Sequence, residues 1–146
     1  MKIKSLLVLL TLGLSACTGS KYAGVPKQYQ ELISQTMQTA GSNAKELRKA
    51  LKQAPTTQRE GMAFLISYMP ERDAKALTAD FLLENVDYAY KARAEFPWAK
   101  EVPNDIFLND VVAYVNLNEK RENWRKDFYE RFKKYVANCK TMREAI

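Results

Sequence analysis

Apolar residues recur at steps of three and four along most of the chain, the spacing of helices with one buried face. Tyr29, Leu32, Ile33, Thr36, Met37 and Ala40 form the first such face. Pro26 suits the first position of that helix and Gly41 its end. Ser42 or Asn43 then caps a second helix carrying Leu47, Ala50 and Leu51, halted by Ala54-Pro55. Thr57 and Glu60 have the spacing of a capping box. The run after them, GMAFLISYM, is apolar almost all round, which predicts a central core helix ending before Pro70. Glu71 to Leu77 reads as a polar connector with room for one turn. Thr78 or Asp80 caps a longer helix to about Ala94, with Phe81, Val86, Ala89 and Tyr90 as its stripe and Tyr88 on a neighbouring face. The stretch EFPWAKEVPNDIF breaks the pattern with two prolines and Trp98, and predicts an ordered irregular loop. Pro103 then starts a short helix with Ile106, Phe107, Leu108, Val111 and Val112.

Beyond the polar bend NLNEKREN, the last complete helix spans about Glu122 to Val136. Trp124, Phe128, Phe132 and Tyr135 or Val136 form its seam, and the spacing of Trp124 and Phe128 predicts core packing. Glu122 with Lys126, Asp127 with Arg131, and Glu130 with Lys134 are acid-before-base pairs at i,i+4 on a solvated face. No segment alternates convincingly as a strand would. The expected fold is all-α: an irregular bundle of six or seven helices over residues 26–139.

The closing residues KTMREAI pose a separate question. Thr141 and Glu144 make a capping box, yet one turn of helix does not hold alone. The expectation is that residues 140–146 open a helix leading into a downstream domain, and that they pack weakly here.

The first residues alter the picture of the mature chain. Lys2 and Lys4 precede an apolar run from Leu6 to Leu14, too short to span a bilayer core of roughly 30 Å. This is the layout of a secretory signal peptide, residues 1–16. Leu14-Ser15-Ala16-Cys17 resembles the bacterial lipobox, which implies cleavage before Cys17 and a lipid on its thiol. Residues 17–25 then form a lipidated tether. Thr18 stands where an inner-membrane retention signal would place Asp, which leans toward the outer membrane. The expected location is the bacterial cell envelope, with the membrane as partner through the N-terminal lipid.

Charge and cysteine content narrow the chemistry. The net charge of +6 comes from 23 basic and 17 acidic residues, and loss of Lys2 and Lys4 lowers it to +4. So mild a charge outside the cytoplasm argues against a nucleic-acid partner. Cys139 is the one cysteine left after lipidation, so it has no internal disulfide partner. It also has no histidine to activate it, because the chain contains none. A thiol nucleophile needs such a base. Zinc sites want Cys and His together, and no calcium-loop spacing occurs. Neither a metal nor a cofactor is expected, and the chain is read as non-enzymatic.

Residues 79–128 carry a family resemblance. Phe81-Leu82-Leu83-Glu84-Asn85, Ala89-Tyr90, Phe96-Pro97-Trp98, Pro103, Phe107-Leu108-Asn109-Asp110-Val111, Tyr114, Asn118-Glu119 and Trp124-Arg125-Lys126-Asp127-Phe128 are similar to the N-terminal helical region of Bacteroidetes-type transglutaminase-like lipoproteins. Met69-Pro70-Glu71-Arg72-Asp73 fits the same pattern. Ala113 departs from it, since relatives often have proline before the tyrosine. The resemblance implies a helical domain that precedes a core using a Cys-His-Asp triad for acyl transfer or amide hydrolysis. No position of this chain matches that triad.

The candidate contact residues follow from these readings. Trp98 either plugs a gap between helices or anchors a peptide, a glycan or a neighbouring domain. Asn109, Asp110 and Asn116 cluster with Tyr114, either lining a polar groove at an interdomain junction or satisfying local backbone. Arg125, beside Trp124, either pairs with a loop carboxylate such as Glu119 or is plain surface charge. Two functions remain open: a lipid-anchored, non-catalytic domain preceding a transglutaminase-like core, or a stand-alone envelope lipoprotein that binds a partner. A weaker third is a membrane-surface helix from Lys120 to Lys134, whose polar face carries both signs.

Overall fold

The computed structural model describes residues 22–115 and 119–146. The expected signal peptide (residues 1–16), Cys17 and Asn116 lie outside the described residues. Among those described there is no strand, and the fold is an all-α irregular bundle. Its helices are α1 (Lys27–Ala40), α2 (Ala44–Gln53), α3 (Arg59–Ser67), α4 (Glu71–Ala74), α5 (Ala79–Glu95), α6 (Asn104–Ile106), α7 (Trp124–Val136) and α8 (Met142–Ala145). A 3-10 turn, Pro97–Glu101, joins α5 to α6, and α6 runs on into a π-turn, Phe107–Val111.

The local signals place most boundaries. Pro26 stands just outside α1, and Gly41 ends it with a positive φ of 56°, a backbone open to glycine. Thr78 caps α5 by accepting from the Phe81 amide. Asn43 precedes α2, but its side chain does not cap it. Its amide donates instead to the Ala74 and Leu77 carbonyls at 2.8 and 2.9 Å, tying the start of α2 to the end of α4. The Thr57–Glu60 capping box is absent. A 3-10 turn, Thr56–Gln58, enters α3 with no side-chain cap, and the Gln58 amide bonds Pro55 O.

Burial explains why α3 is so apolar. Met62 and Ile66 are fully enclosed, together with Ile33 of α1, Leu47 of α2, Leu82 and Val86 of α5, and Val112. Gly61 sits where α3 meets Tyr90. A Cβ there would fall 2.7 Å from the Tyr90 ring, and the Gly61 amide donates to the Tyr90 hydroxyl. A smaller cluster of Phe96, Ala99 and Tyr129 fixes α7 to the outer side of α5.

The π-turn re-phases the short helix. Val112 N–H bonds Phe107 O, five residues back, so Phe107, Leu108 and Val112 are buried while Ile106 is exposed. The carbonyls freed at its end are taken by side chains. Asn85 donates to Val112 O at 2.7 Å, Arg125 to Ala113 O at 2.6 Å and Trp124 to Tyr114 O at 3.2 Å.

The connector around α4 is less polar in role than in sequence. Asp73 is 2% exposed. It receives Arg121 Nε and Nη2 at 2.9 and 2.8 Å and the Tyr114 hydroxyl at 2.9 Å. Burial alone would raise its pKa, but these donors outweigh it and hold the carboxyl below its ordinary value.

Residues 142–145 form one turn in which Thr141 caps as expected, while the Glu144 carboxylate reaches the Lys140 amide rather than the Thr141 amide of a full capping box. The Thr141 hydroxyl accepts from Glu144 N, and the Glu144 carboxylate accepts from Lys140 N at 2.7 Å. None of the turn's residues is buried, and Ile146 is fully exposed.

Candidate functional site

The seam of α7 does not lie in the core. Trp124, Phe128, Phe132 and Tyr135 are 39%, 54%, 41% and 66% exposed. Their rings touch in sequence, with centroids 5.8, 4.4 and 6.4 Å apart. The cause is that the apolar arc of α7 is wider than its contact with α5. The half turned inward is occupied by Arg125, Tyr129 and Val136, which leaves the other half uncovered. On the polar side Asp127 pairs with Arg131 as the spacing suggests, while Glu130 pairs with Lys133 rather than Lys134.

Beside this ladder of rings lies a cavity of about 420 Å³ between α5, the 3-10 turn, the end of the π-turn and α7. Ala92, Phe96, Trp98, Val111, Phe128 and Phe132 supply much of its apolar wall. Trp98 does both jobs open to it. Its ring stacks on Phe96 at 5.7 Å and 9°, its Nε1–H donates to Val136 O at 3.4 Å, and it still lines the cavity. Tyr129 closes the cavity from α7. Its hydroxyl donates to the Glu95 carboxylate, and burial followed by that bond raises its pKa.

Arg125 is the fixed charge of the site. Its Nε–H donates to Asn85 Oδ1 at 2.7 Å, its Nη2 to Ala113 O, and its guanidinium lies 4.7 Å from the Trp124 ring centre. These partners are neutral, in place of the expected Glu119 carboxylate. Burial therefore acts on it uncompensated and pushes its pKa down to about 10, still cationic at neutral pH.

The structure divides the other sequence candidates. Asp110 lines the same cavity as Trp98 and Arg125. Asn109 is exposed, donates to Asp105 O at 2.8 Å and borders a separate hollow with Tyr114 and Arg121. Tyr114 is buried and committed to Asp73. The expected single cluster of Asn109, Asp110 and Tyr114 is thus split, because the π-turn directs neighbouring residues to different sides. Cys139 is half-buried and lies 3.3 Å from the Glu144 carbonyl.

Sequence reasoning missed Asn85, Asp73, Arg121 and Tyr129. Asn85 had a readable signal: it lies three residues from Leu82 and four from Ala89, a lone amide on a buried face. Such an amide needs partners, and it finds them in Val112 O and Arg125. Asp73 and Arg121 lie 48 residues apart, and no local spacing links them.

No helix among the described residues is long and apolar enough to cross a membrane. Comparison with protein-family models, curated proteins and solved structures finds no match to this chain.

Proposed function

We propose that this protein is a non-catalytic helical binding module, held at the bacterial envelope by a lipid on Cys17, whose working surface is the cavity between α5 and α7. One observation carries the reading: of four adjoining exposed aromatic rings of α7, three (Trp124, Phe128 and Phe132) line a largely apolar cavity. Contiguous apolar surface of this kind marks interaction sites, and a cavity of this volume falls in the range of small-molecule sites.

Phe128 separates binding from folding. It is 54% exposed and its ring contacts among the described residues are the neighbouring α7 rings, so Phe128→Asp should cost about 1–2 kcal/mol and leave the chain folded. The same change puts a carboxylate on the cavity wall. Binding of the neutral fluorophore N-phenyl-1-naphthylamine to the full chain should weaken at least about tenfold. Undiminished binding by a folded Phe128→Asp protein would place the working surface elsewhere. The anchor has its own test. Cys17→Ser should move the protein from the membrane fraction to the soluble fraction of a bacterial host, and retention on the membrane would remove the lipid from the account.

A second reading keeps the resemblance to transglutaminase-like lipoproteins. The residues that carry it belong largely to α5, the 3-10 and π-turns and α7, the elements around the cavity. In that reading the cavity forms one wall of the substrate cleft of a downstream catalytic core.

A further inference from the structure

The cavity carries a cation, Arg125, that neither carboxylate of its wall, Asp110 or Glu119, pairs with directly. Arg125 lines it, and among the described residues no carboxylate forms an ion pair with this guanidinium. Its Nε and Nη2 are held by Asn85 and Ala113 O. No hydrogen bond from its Nη1 is formed among the described residues, which leaves that donor for a ligand. The other charged groups on the lining are Asp110, Glu119 and Lys133, and Lys133 is engaged by Glu130.

Position adds to the demand for an anion. Arg125 and Lys126 occupy the first turn of α7, the positive end of the helix, where a cation is disfavoured. Asn123 precedes that turn without a side-chain cap, and the one acid of the turn, Asp127, is paired with Arg131. A cation fixed by two neutral bonds, at a helix N-terminus, beside an apolar cavity suits a ligand with one negative group on an apolar body. Surface lysines would not show this, since they move freely to water. Here the guanidinium is already oriented, and little ordering remains when an anion arrives.

We infer that the cavity binds aliphatic carboxylic acids, with the carboxylate on the open edge of Arg125 and the chain along Ala92, Phe96, Phe128 and Phe132. This rests on the cavity being the working surface, and it names the ligand class for that surface. No covalent step is involved. The head group forms charge-assisted hydrogen bonds, and the chain replaces water against the rings.

Both tryptophans of the chain, Trp98 and Trp124, line the cavity, so their emission reports occupancy without a label. The experiment titrates the full chain carrying Cys17→Ser with decanoate, decanol and decylammonium, each below its micelle concentration. Decanoate should shift the emission saturably and bind about tenfold or more tighter than decanol, as a charge-assisted bond requires. Decylammonium should bind least. Arg125→Gln should equalise decanoate and decanol. Because Arg125 also caps the π-turn, that variant is checked for its helical spectrum. Should it unfold, Ala92→Phe gives the second measurement, filling the cavity without touching Arg125 and weakening decanoate at least about tenfold. Equal binding of decanoate and decanol would overturn the carboxylate inference and leave the apolar binding surface standing. Binding of none of the three would overturn both. Decanoate binding that survives in a folded Arg125→Gln or Ala92→Phe protein would put the acid elsewhere and overturn the inference.

Discussion

Replacing Asp73 by Ala is expected to destabilise the protein by about 3 kcal/mol at neutral pH. The carboxylate is 2% exposed and holds three donors, two from Arg121 and one from Tyr114. Removal strands the buried Tyr114 hydroxyl and unties residue 121 from α4. Arg121 itself sits at the rim with a fifth of its side chain exposed, so it can turn to water. That escape keeps the cost below the upper end for a broken buried pair. The pH dependence has a definite sign. The folded pKa of Asp73 is depressed below its ordinary 3.8, so its contribution is complete above that value and is lost as pH falls through the folded pKa. Urea unfolding should therefore separate wild type from Asp73→Ala by the full amount at pH 7, with the gap closing at progressively lower pH below about 4. A gap that is constant across this range would mean that the carboxylate charge plays no part.

Phe107→Ala should cost about 3–5 kcal/mol. Phe107 is 1% exposed and is wedged between the Tyr90 edge, 5.0 Å away by ring centres, and the Arg93 guanidinium at 4.2 Å. It begins the π-turn, so nothing on its own segment can slide in to fill the space left. The loss is a large share of the 5–15 kcal/mol typical of a domain, and the urea midpoint should fall steeply with the helical spectrum still native at zero denaturant. A change under about 1 kcal/mol would show that the site collapses, and that the π-turn is softer than its hydrogen bond implies.

The two substitutions also mark what the sequence could and could not reveal. Gly41, Thr78 and Pro103 act on their nearest neighbours, so their residue types suffice to place helix ends. The face of α1 was equally legible, because Tyr29, Ile33, Thr36, Met37 and Ala40 repeat at helical spacing and are buried. Phe107 was readable as apolar and short-helical, but the π-turn was not, since one inserted hydrogen-bond step leaves no compositional trace. Periodicity went furthest astray on α7. It reports that an apolar face exists and says nothing about what covers it, and here only half is covered. Asp73 was hidden in a run, ERD, that reads as solvent-exposed. Its partners Tyr114 and Arg121 come from the far side of α5 in sequence, and only folding brings them together. At the site, Trp98, Asp110 and Arg125 were singled out by type and do converge on one cavity, while the neutral partners of Arg125 emerged from the fold.

The most direct test of the cavity as the working surface reads its two indoles. Trp98 Nε1–H and Trp124 Nε1–H are both hydrogen-bonded to carbonyls, to Val136 O and Tyr114 O, and both rings line the cavity. In a proton–nitrogen correlation spectrum of the full chain carrying Cys17→Ser, N-phenyl-1-naphthylamine should displace both indole signals together and saturate at one equivalent. The signals of residues in α1 and α2, remote from the cavity, should stay in place. Indole signals that do not move while the fluorophore binds, or shifts centred on α1 and α2, would contradict the account.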